Sequence, residues 1–177
     1  MGTPKHFETF CKEARDMGAL DAVVISPQKV FTATWVRLRC QYGCSEYGQC
    51  LTCPPYSPTP ETTRKMLDEY QSAILLHGNE TEPLRQIARE LEEKIFFAGF
   101  YKAFAFLCGP CWMCKECSAL KAKRGKVVAC KHPDLARPSM EAAGIDVFAT
   151  ARAAGLPIEV VRSEDDPQNY YALVLVE

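Results

Sequence analysis

Apolar residues recur with a helical period in several stretches of the chain, and the clearest stretch runs from Thr81 to Ala98. Its apolar stripe consists of Leu84, Ile87, Ala88, Leu91 and Ile95. This spacing predicts an amphipathic helix with one buried face. A second helix with the same period is predicted through Phe7–Met17, and it ends at Gly18.

Shorter apolar runs predict strands. The runs Ala22–Ile25 and Lys29–Leu38 flank Ser26-Pro27-Gln28 and predict a β-hairpin. Two more helices are predicted at about 60–71 and 139–154, because Thr59 and Ser139 are good N-caps. The remaining predicted strands are Ala73–His77, Tyr101–Leu107, Pro157–Val161 and Tyr170–Val176. Together the elements predict one α/β domain over 1–177, a mixed sheet flanked by helices, with an α+β arrangement as the alternative.

Composition places the chain among globular proteins. Hydrophobic residues make up 47% of its 177 residues and charged residues 24%, which excludes intrinsic disorder and a simple coiled coil. The net charge of −1 argues against nucleic-acid binding through phosphate contacts. The apolar stretch Ile95–Cys108 is interrupted by Lys102 and is too short to span a bilayer, and no secretory signal is recognisable. The sequence therefore predicts a cytoplasmic protein with no membrane association.

Ten cysteines change this picture, because nine of them fall in two irregular loops at about 39–58 and 108–138. Only Cys11 stands apart, on the apolar face of the first helix, where it is expected to pack in the core. In a reducing cytosol, clustered cysteines are metal ligands or redox groups more often than structural disulfides. The two loops are therefore predicted to bind metal.

The second loop carries the more specific pattern. Its candidate ligands are Cys111, Cys114, Cys117 and Cys130. Three cysteines at C-x2-C-x2-C spacing with a remote fourth are typical of a [4Fe-4S] cluster, in which each thiolate binds a different iron. Cys108 is an alternative ligand or a small core residue, and His132 is a candidate outer partner of the ligands. Zinc, which also takes four thiolates, is the main alternative.

The first loop places four further candidate ligands within fourteen residues. They are Cys40, Cys44, Cys50 and Cys53. Their spacing is not that of radical enzymes, but Cys53-Pro54 repeats the ending of ferredoxin motifs. A second [4Fe-4S] cluster is predicted here, again with zinc as the alternative. An exchange of Cys53 and Cys130 between the two clusters stays open at this point.

The second loop is strongly basic. Between Lys115 and Arg137 it has two acids, Glu116 and Asp134, against seven bases. The bases are Lys115, Lys121, Lys123, Arg124, Lys126, Lys131 and Arg137. Such a segment is a solvated loop, a set of cations beside an anionic cluster, or a docking surface for an acidic redox partner. The last interpretation predicts a partner protein that docks near this segment.

The two loops together resemble the DUF2284 family of predicted metal-binding proteins, which are frequent in anaerobic bacteria and archaea. The resemblance rests on Arg39-Cys40, Gly43-Cys44, Tyr47-Gly48, Cys53-Pro54-Pro55-Tyr56, Gly109-Pro110-Cys111-x2-Cys114-x2-Cys117, Cys130-x-His132-Pro133 and the run Arg137–Val147. It implies metal binding, most simply iron–sulfur, and implies no reaction. Cys40, Cys44 and Cys53 match its first motif, whereas Cys50 and Cys108 are less regular members.

These features predict an iron–sulfur protein with two [4Fe-4S] clusters that acts as an electron-transfer module in an anaerobic redox system. The chain has no GxGxxG, GxxxxGK[ST], HExxH or GxSxG motif and no evident acid–base pair. An enzyme with one open-site cluster and a zinc-stabilised interaction protein are the two alternatives.

Overall fold

The computed structural model describes residues 5–121, 128–163 and 165–177. Within that part of the chain the elements, in order, are α1 (Lys5–Asp16), β1 (Asp21–Ile25), α2 (Thr34–Gly43), α3 (Pro60–Leu67), β2 (Ala73–Gly78), α4 (Thr81–Phe97), β3 (Phe104–Phe106), α5 (Val147–Ala153) and β4 (Tyr170–Leu175). Short 3-10 helices lie at Pro27–Lys29, Ser118–Lys121 and Glu141–Ala143. None of the helices in these described ranges is long and apolar enough to span a bilayer.

The strands form one sheet in the order β1-β2-β4-β3. All six residues of β2 are buried, as expected for an apolar central strand that is covered on both faces. The predicted α/β class is confirmed, but the prediction of a mixed sheet is wrong because each neighbouring pair is antiparallel. Although α4 connects β2 to β3, the two strands do not pair, because β4 lies between them and runs opposite to both.

Helices cover both faces of the sheet and divide the core into two layers. On one face α1 and α4 pack through Phe7, Leu84 and Leu91 against residues such as Ile74 and Val174. The opposite face carries Leu75 and Leu173, which are buried with Leu67 of α3, Ala151 of α5 and the Met140–Ile145 segment. This segment, which follows the second cysteine loop, and α4 therefore lie on opposite sides of the sheet.

The strand predicted at Lys29–Leu38 is wrong. The chain forms a 3-10 helix, a single bridge between Thr32 and Ile145, and then α2. The β-branched residues that suggested a strand are buried individually: Val30 is fully buried beside the sheet, and Val36 is buried on α2. Trp35, beside Val36, stays about half exposed. The pattern therefore reflects separate packing contacts rather than one face of a strand.

The helix predicted from Ser139 to about Ala154 is interrupted. Ser139 does cap a short turn, since its hydroxyl accepts a hydrogen bond from the Ala142 N–H at 3.1 Å. Gly144 then adopts φ +77, and a side chain at that position would overlap Pro60. Helix α5 begins only after Asp146, whose side chain accepts a hydrogen bond from Ala149 N–H. The backbone turn that Gly144 permits therefore separates the two pieces.

Two smaller predictions also differ. The segment predicted as a strand at Pro157–Val161 is irregular and pairs with none of the four strands, and Val160 is 63% exposed. The helix predicted at 60–71 ends at Leu67, after which the Ser72 N–H donates to the Glu177 carbonyl at 3.0 Å. Local sequence preference therefore does not set the structure of either segment.

Candidate metal centre

The second cysteine loop leaves the sheet at the end of β3 and returns beside it. The Leu107 N–H donates to the Pro138 carbonyl, and the Met140 N–H donates to the Leu107 carbonyl, both at 2.9 Å. These two bonds join the start and the end of the loop in a parallel bridge between Leu107 and Ser139. The loop is therefore closed at its base by backbone hydrogen bonds.

Helix α4 holds both ends of this loop through charged side chains. Arg85, which is buried, donates to the Cys108 carbonyl at 2.7 Å and to the Pro110 carbonyl at 2.5 Å. At the other end Arg137 forms an ion pair with Glu92 of α4, with Nη2 and Oε1 2.7 Å apart. Sequence reasoning missed Arg85 and Glu92. The available signal was that both adjoin the apolar stripe of α4, seven residues apart.

Five cysteines lie around one small pocket. Four come from the second loop, and the fifth, Cys50, comes from the first loop. The four are Cys111, Cys114, Cys117 and Cys130. The structure thus brings together the complete candidate ligand set of the second loop. His132 also lines this pocket, and its backbone N–H donates to the Cys130 sulfur at 3.4 Å.

Cys50 lies on this side although the sequence grouped it with the first loop. Its Sγ is 3.5 Å from the Cys111 carbonyl oxygen, and the residue is 8% exposed. Burial, with further contributions from the nearby Cys53, Cys117 and Cys111 thiols, raises the pKa of the Cys50 thiol to about 12. In this surrounding of other thiols, a bound cation would favour the thiolate form.

The other three cysteines of the first loop form a second group. Cys40 lies in the last turn of α2, Cys44 follows directly after this helix, and Cys53 lies in the turn beyond. Burial raises the pKa of the Cys53 thiol to about 11, and the nearby Cys44 and Cys40 thiols add to this rise. Cys40 Sγ is also 3.9 Å from the Glu141 carbonyl oxygen. This group therefore contains three thiols rather than the four that its sequence suggests.

Buried polar contacts tie the first loop to the segment that follows the second. Arg37 donates to Ser57 Oγ at 2.9 Å and to the Ala142 carbonyl at 2.7 Å, and Ser57 donates to the same carbonyl. Thr63 donates to the Ala143 carbonyl at 2.7 Å. The two loops are consequently held against each other by α2, α3 and the 3-10 turn at 141–143.

Two cysteines lie away from both groups. Cys108 is 2% exposed, and its thiol is 3.6 Å from the Thr81 carbonyl oxygen at the start of α4. Cys11 is fully buried in the core against α4, as expected for a packing residue. The position of Cys108 favours the small core residue over the alternative ligand.

The donor chemistry of the pocket suits a thiophilic metal, since all ten cysteines are free and five of them share it. Its free space is about 20 Å³, enough for about one water-sized group. Among the described residues, no three Cys, His, Asp or Glu side chains are arranged to hold one metal ion. To hold a polynuclear cluster, the two loops would have to move apart and enlarge the pocket. To hold a single metal ion, the cysteine sulfurs would have to move closer together.

The predicted basic segment is partly neutralised where it is described. Lys121 pairs with Glu116 at 3.2 Å, Lys131 donates to the Glu116 carbonyl, and Arg137 is paired with Glu92. Lys115 is exposed. The remaining predicted bases, Lys123, Arg124 and Lys126, lie outside the described residues.

The fold and this site define a cysteine-rich α/β protein with metal-ligand chemistry on two adjoining loops. The chain belongs to the DUF2284 family, described as a predicted metal-binding protein, whose profile matches residues 23–176. That range contains both cysteine loops. No curated protein matches the chain significantly. No solved structure does either.

Proposed function

We propose that this protein is an iron–sulfur protein that carries two [4Fe-4S]-type clusters and transfers electrons. The observation that carries the proposal is the pocket that Cys50 shares with Cys111, Cys114, Cys117 and Cys130. A cubane binds its thiolates on separate irons, whereas zinc draws four donors to about 2.3 Å of one ion. The C-x2-C-x2-C spacing of Cys111, Cys114 and Cys117, which is typical of a cubane, favours the larger inorganic group over zinc.

The surroundings of the thiols support the same function. An iron–sulfur cluster supplies reversible one-electron chemistry when it is bound. The His132 N–H donates to the Cys130 sulfur, and such bonds stabilise negative charge on ligating sulfur. Arg85 of α4 and the Arg137–Glu92 ion pair hold both ends of the loop on α4, which limits the rearrangement that a change of charge would cause.

The proposed partner is an acidic redox protein in the cytoplasm that docks beside the exposed part of the basic segment. Lys115 and Lys131 are exposed and lie within one residue of Cys114 and Cys130, so a protein docked there would be near the thiol pocket. Complementary charge speeds the encounter of such partners. The cytoplasm is proposed because its reducing conditions keep clustered thiols free.

Metal analysis of protein purified without exposure to air tests this function. We expect about eight irons and eight acid-labile sulfides per chain, the content of two four-iron clusters. Dithionite reduction should produce a low-temperature EPR signal. Stoichiometric zinc without sulfide, together with unfolding upon chelation, would instead identify a zinc-stabilised interaction protein and refute the proposal.

Two alanine variants sharpen this test. Cys114→Ala removes a thiol from the shared pocket and should lower the iron content by about half, because one of two clusters loses a ligand. Cys108→Ala is the matched control: Cys108 is buried outside both groups and should retain the wild-type iron content. Equal iron loss in both variants would contradict the proposed ligand set.

The three-thiol group supports a second candidate, an enzyme with one open-site cluster. Because Cys50 lies on the other pocket, Cys40, Cys44 and Cys53 leave one position without a thiol ligand. An exchangeable ligand such as cyanide should then shift the EPR signal of one cluster. Its signal should survive Cys50→Ser, whereas the signal of the other cluster should change.

A further inference from the structure

A second pocket lies next to the thiol pocket and is lined by arginines. It has a volume of about 320 Å³ and is bounded by helix α4, the start of the second cysteine loop and residues 135–137 near its end. Its polar lining consists mainly of Arg85, Arg89, Arg137 and Glu82. Trp112, which is 64% exposed, lines the same pocket. A pocket of this size suits a small molecule.

The three arginines differ in how far their donors are already used. Arg85 is bonded to the Cys108 and Pro110 carbonyls, and Arg137 pairs with Glu92. Within the described residues the Arg89 side chain makes no hydrogen bond, and its one ion pair there, to Glu82, is long at 3.7 Å. Its side chain is only 22% exposed. A guanidinium has five N–H donors, so a largely buried one with a single long contact is poised for a ligand.

The Glu82 carboxylate already occupies part of the position that an anionic ligand of Arg89 would take. Its carboxylate is 3.2 Å from Arg85 and 3.7 Å from Arg89, while its side chain is 70% exposed. The four charged side chains that line the pocket sum to a net charge of +2, from three arginines and one glutamate. An incoming oxyanion would therefore find net positive charge, and it would compete with Glu82 for Arg89.

We propose that this pocket binds a small oxyanion, a carboxylate or phosphate group, through Arg89, with Trp112 along the body of the ligand. Arginine recognises both groups through paired N–H donors, and indole faces cover flat apolar parts of ligands. Cys111 lines this pocket and the thiol pocket alike. A bound anion would therefore lie beside the proposed cluster, although the proposal itself depends on no particular metal.

Isothermal titration calorimetry at constant ionic strength tests this proposal with the whole purified protein. Succinate and inorganic phosphate are the two probes, and the tighter of them shows whether the pocket prefers carboxylate or phosphate. We expect saturable binding of at least one probe. Because binding is read as heat, failure here is distinct from failure of the iron analysis.

Three variants distinguish this site from general charge effects. Arg89→Gln should weaken binding about 10- to 100-fold, the range for loss of a charge-assisted contact. Glu82→Gln should strengthen binding, because it removes the competing carboxylate. Arg152→Gln, which removes an exposed arginine on α5, is the matched control and should leave affinity unchanged. Absence of saturable binding, equal weakening in the two arginine variants, or weaker binding in Glu82→Gln would overturn the proposal.

Discussion

Substitution of Arg85 by methionine should destabilise the protein through the second cysteine loop. Methionine keeps much of the buried aliphatic volume but donates no hydrogen bond. The Cys108 and Pro110 carbonyls, which Arg85 contacts at 2.7 and 2.5 Å, would then lose their donor. Glu82 would lose an ion pair as well, but its side chain is 70% exposed and the pair contributes little.

The expected loss in the free energy of unfolding follows from the burial of the two carbonyls. A buried acceptor without a donor costs about 1–3 kcal/mol, and Cys108 is 2% exposed, so this carbonyl accounts for about 2 kcal/mol. Pro110 is partly exposed, and water can replace some of its bond, which leaves about 1 kcal/mol. The total of about 3 kcal/mol corresponds to a decrease in Tm of about 6–12 °C for a chain of this size.

Urea and thermal unfolding followed by circular dichroism would measure this loss, with Arg89→Met as the matched control. Arg89 lies one turn further along α4 and lines the same pocket, and the one polar contact of its side chain within the described ranges is with Glu82, at 3.7 Å. Its substitution should change stability by less than about 0.5 kcal/mol. If both variants unfolded at the same urea concentration, the carbonyl contacts of Arg85 would not support the loop, and the reasoning would be refuted.

Two further predictions concern the backbone and the core. Gly144→Ala should lower the free energy of unfolding by about 2–4 kcal/mol, because φ is +77 and the new Cβ would overlap Pro60. Gly155→Ala is the control: φ is +75 there but the space is open, so the free energy of unfolding should fall by only about 1 kcal/mol. Equal decreases for the two variants in urea unfolding would contradict this prediction. Burial raises the pKa of the Cys11 thiol from its ordinary 9.0 to about 12. Below pH 9 the thiol is therefore mainly protonated in the folded and the unfolded protein alike. Above pH 9 the unfolded protein loses this proton first, so the folded protein loses stability as the pH rises. Wild type should therefore lose up to about 1.4 kcal/mol per pH unit more than Cys11→Ala between pH 9.5 and 11, in urea unfolding under anaerobic reducing conditions; parallel curves would count against it.

Local patterns predicted the elements whose burial is simple. The stripe of α4 and the apolar run of β2 were recognisable because one face, or both faces, of each element meets the core along its whole length. The sequence around Val30 and Val36 misled because its apolar residues are buried by different neighbours. At Gly144 the helix stops because Pro60, distant in sequence, occupies the space that a side chain would need. Both differences come from contacts that no local period encodes.

In the candidate site, too, sequence spacing predicted some placements, whereas contacts between residues distant in sequence determine others. The C-x2-C-x2-C spacing predicted that Cys111, Cys114 and Cys117 lie together, and they line one pocket because residues so close in sequence share one loop. Spacing could not predict that Cys50 lies in the pocket of the second loop. Arg37, Ser57 and Thr63 bond to the carbonyls at 142–143 and hold the first loop in place. In this position the Cys50 thiol lies beside the Cys111 carbonyl of the second loop. If Cys50 contributes to the centre in this pocket, that centre depends on the placement of both loops. Loss of either the Arg85 or the Arg37 anchor should then reduce metal content at the shared pocket, even though neither side chain is a ligand.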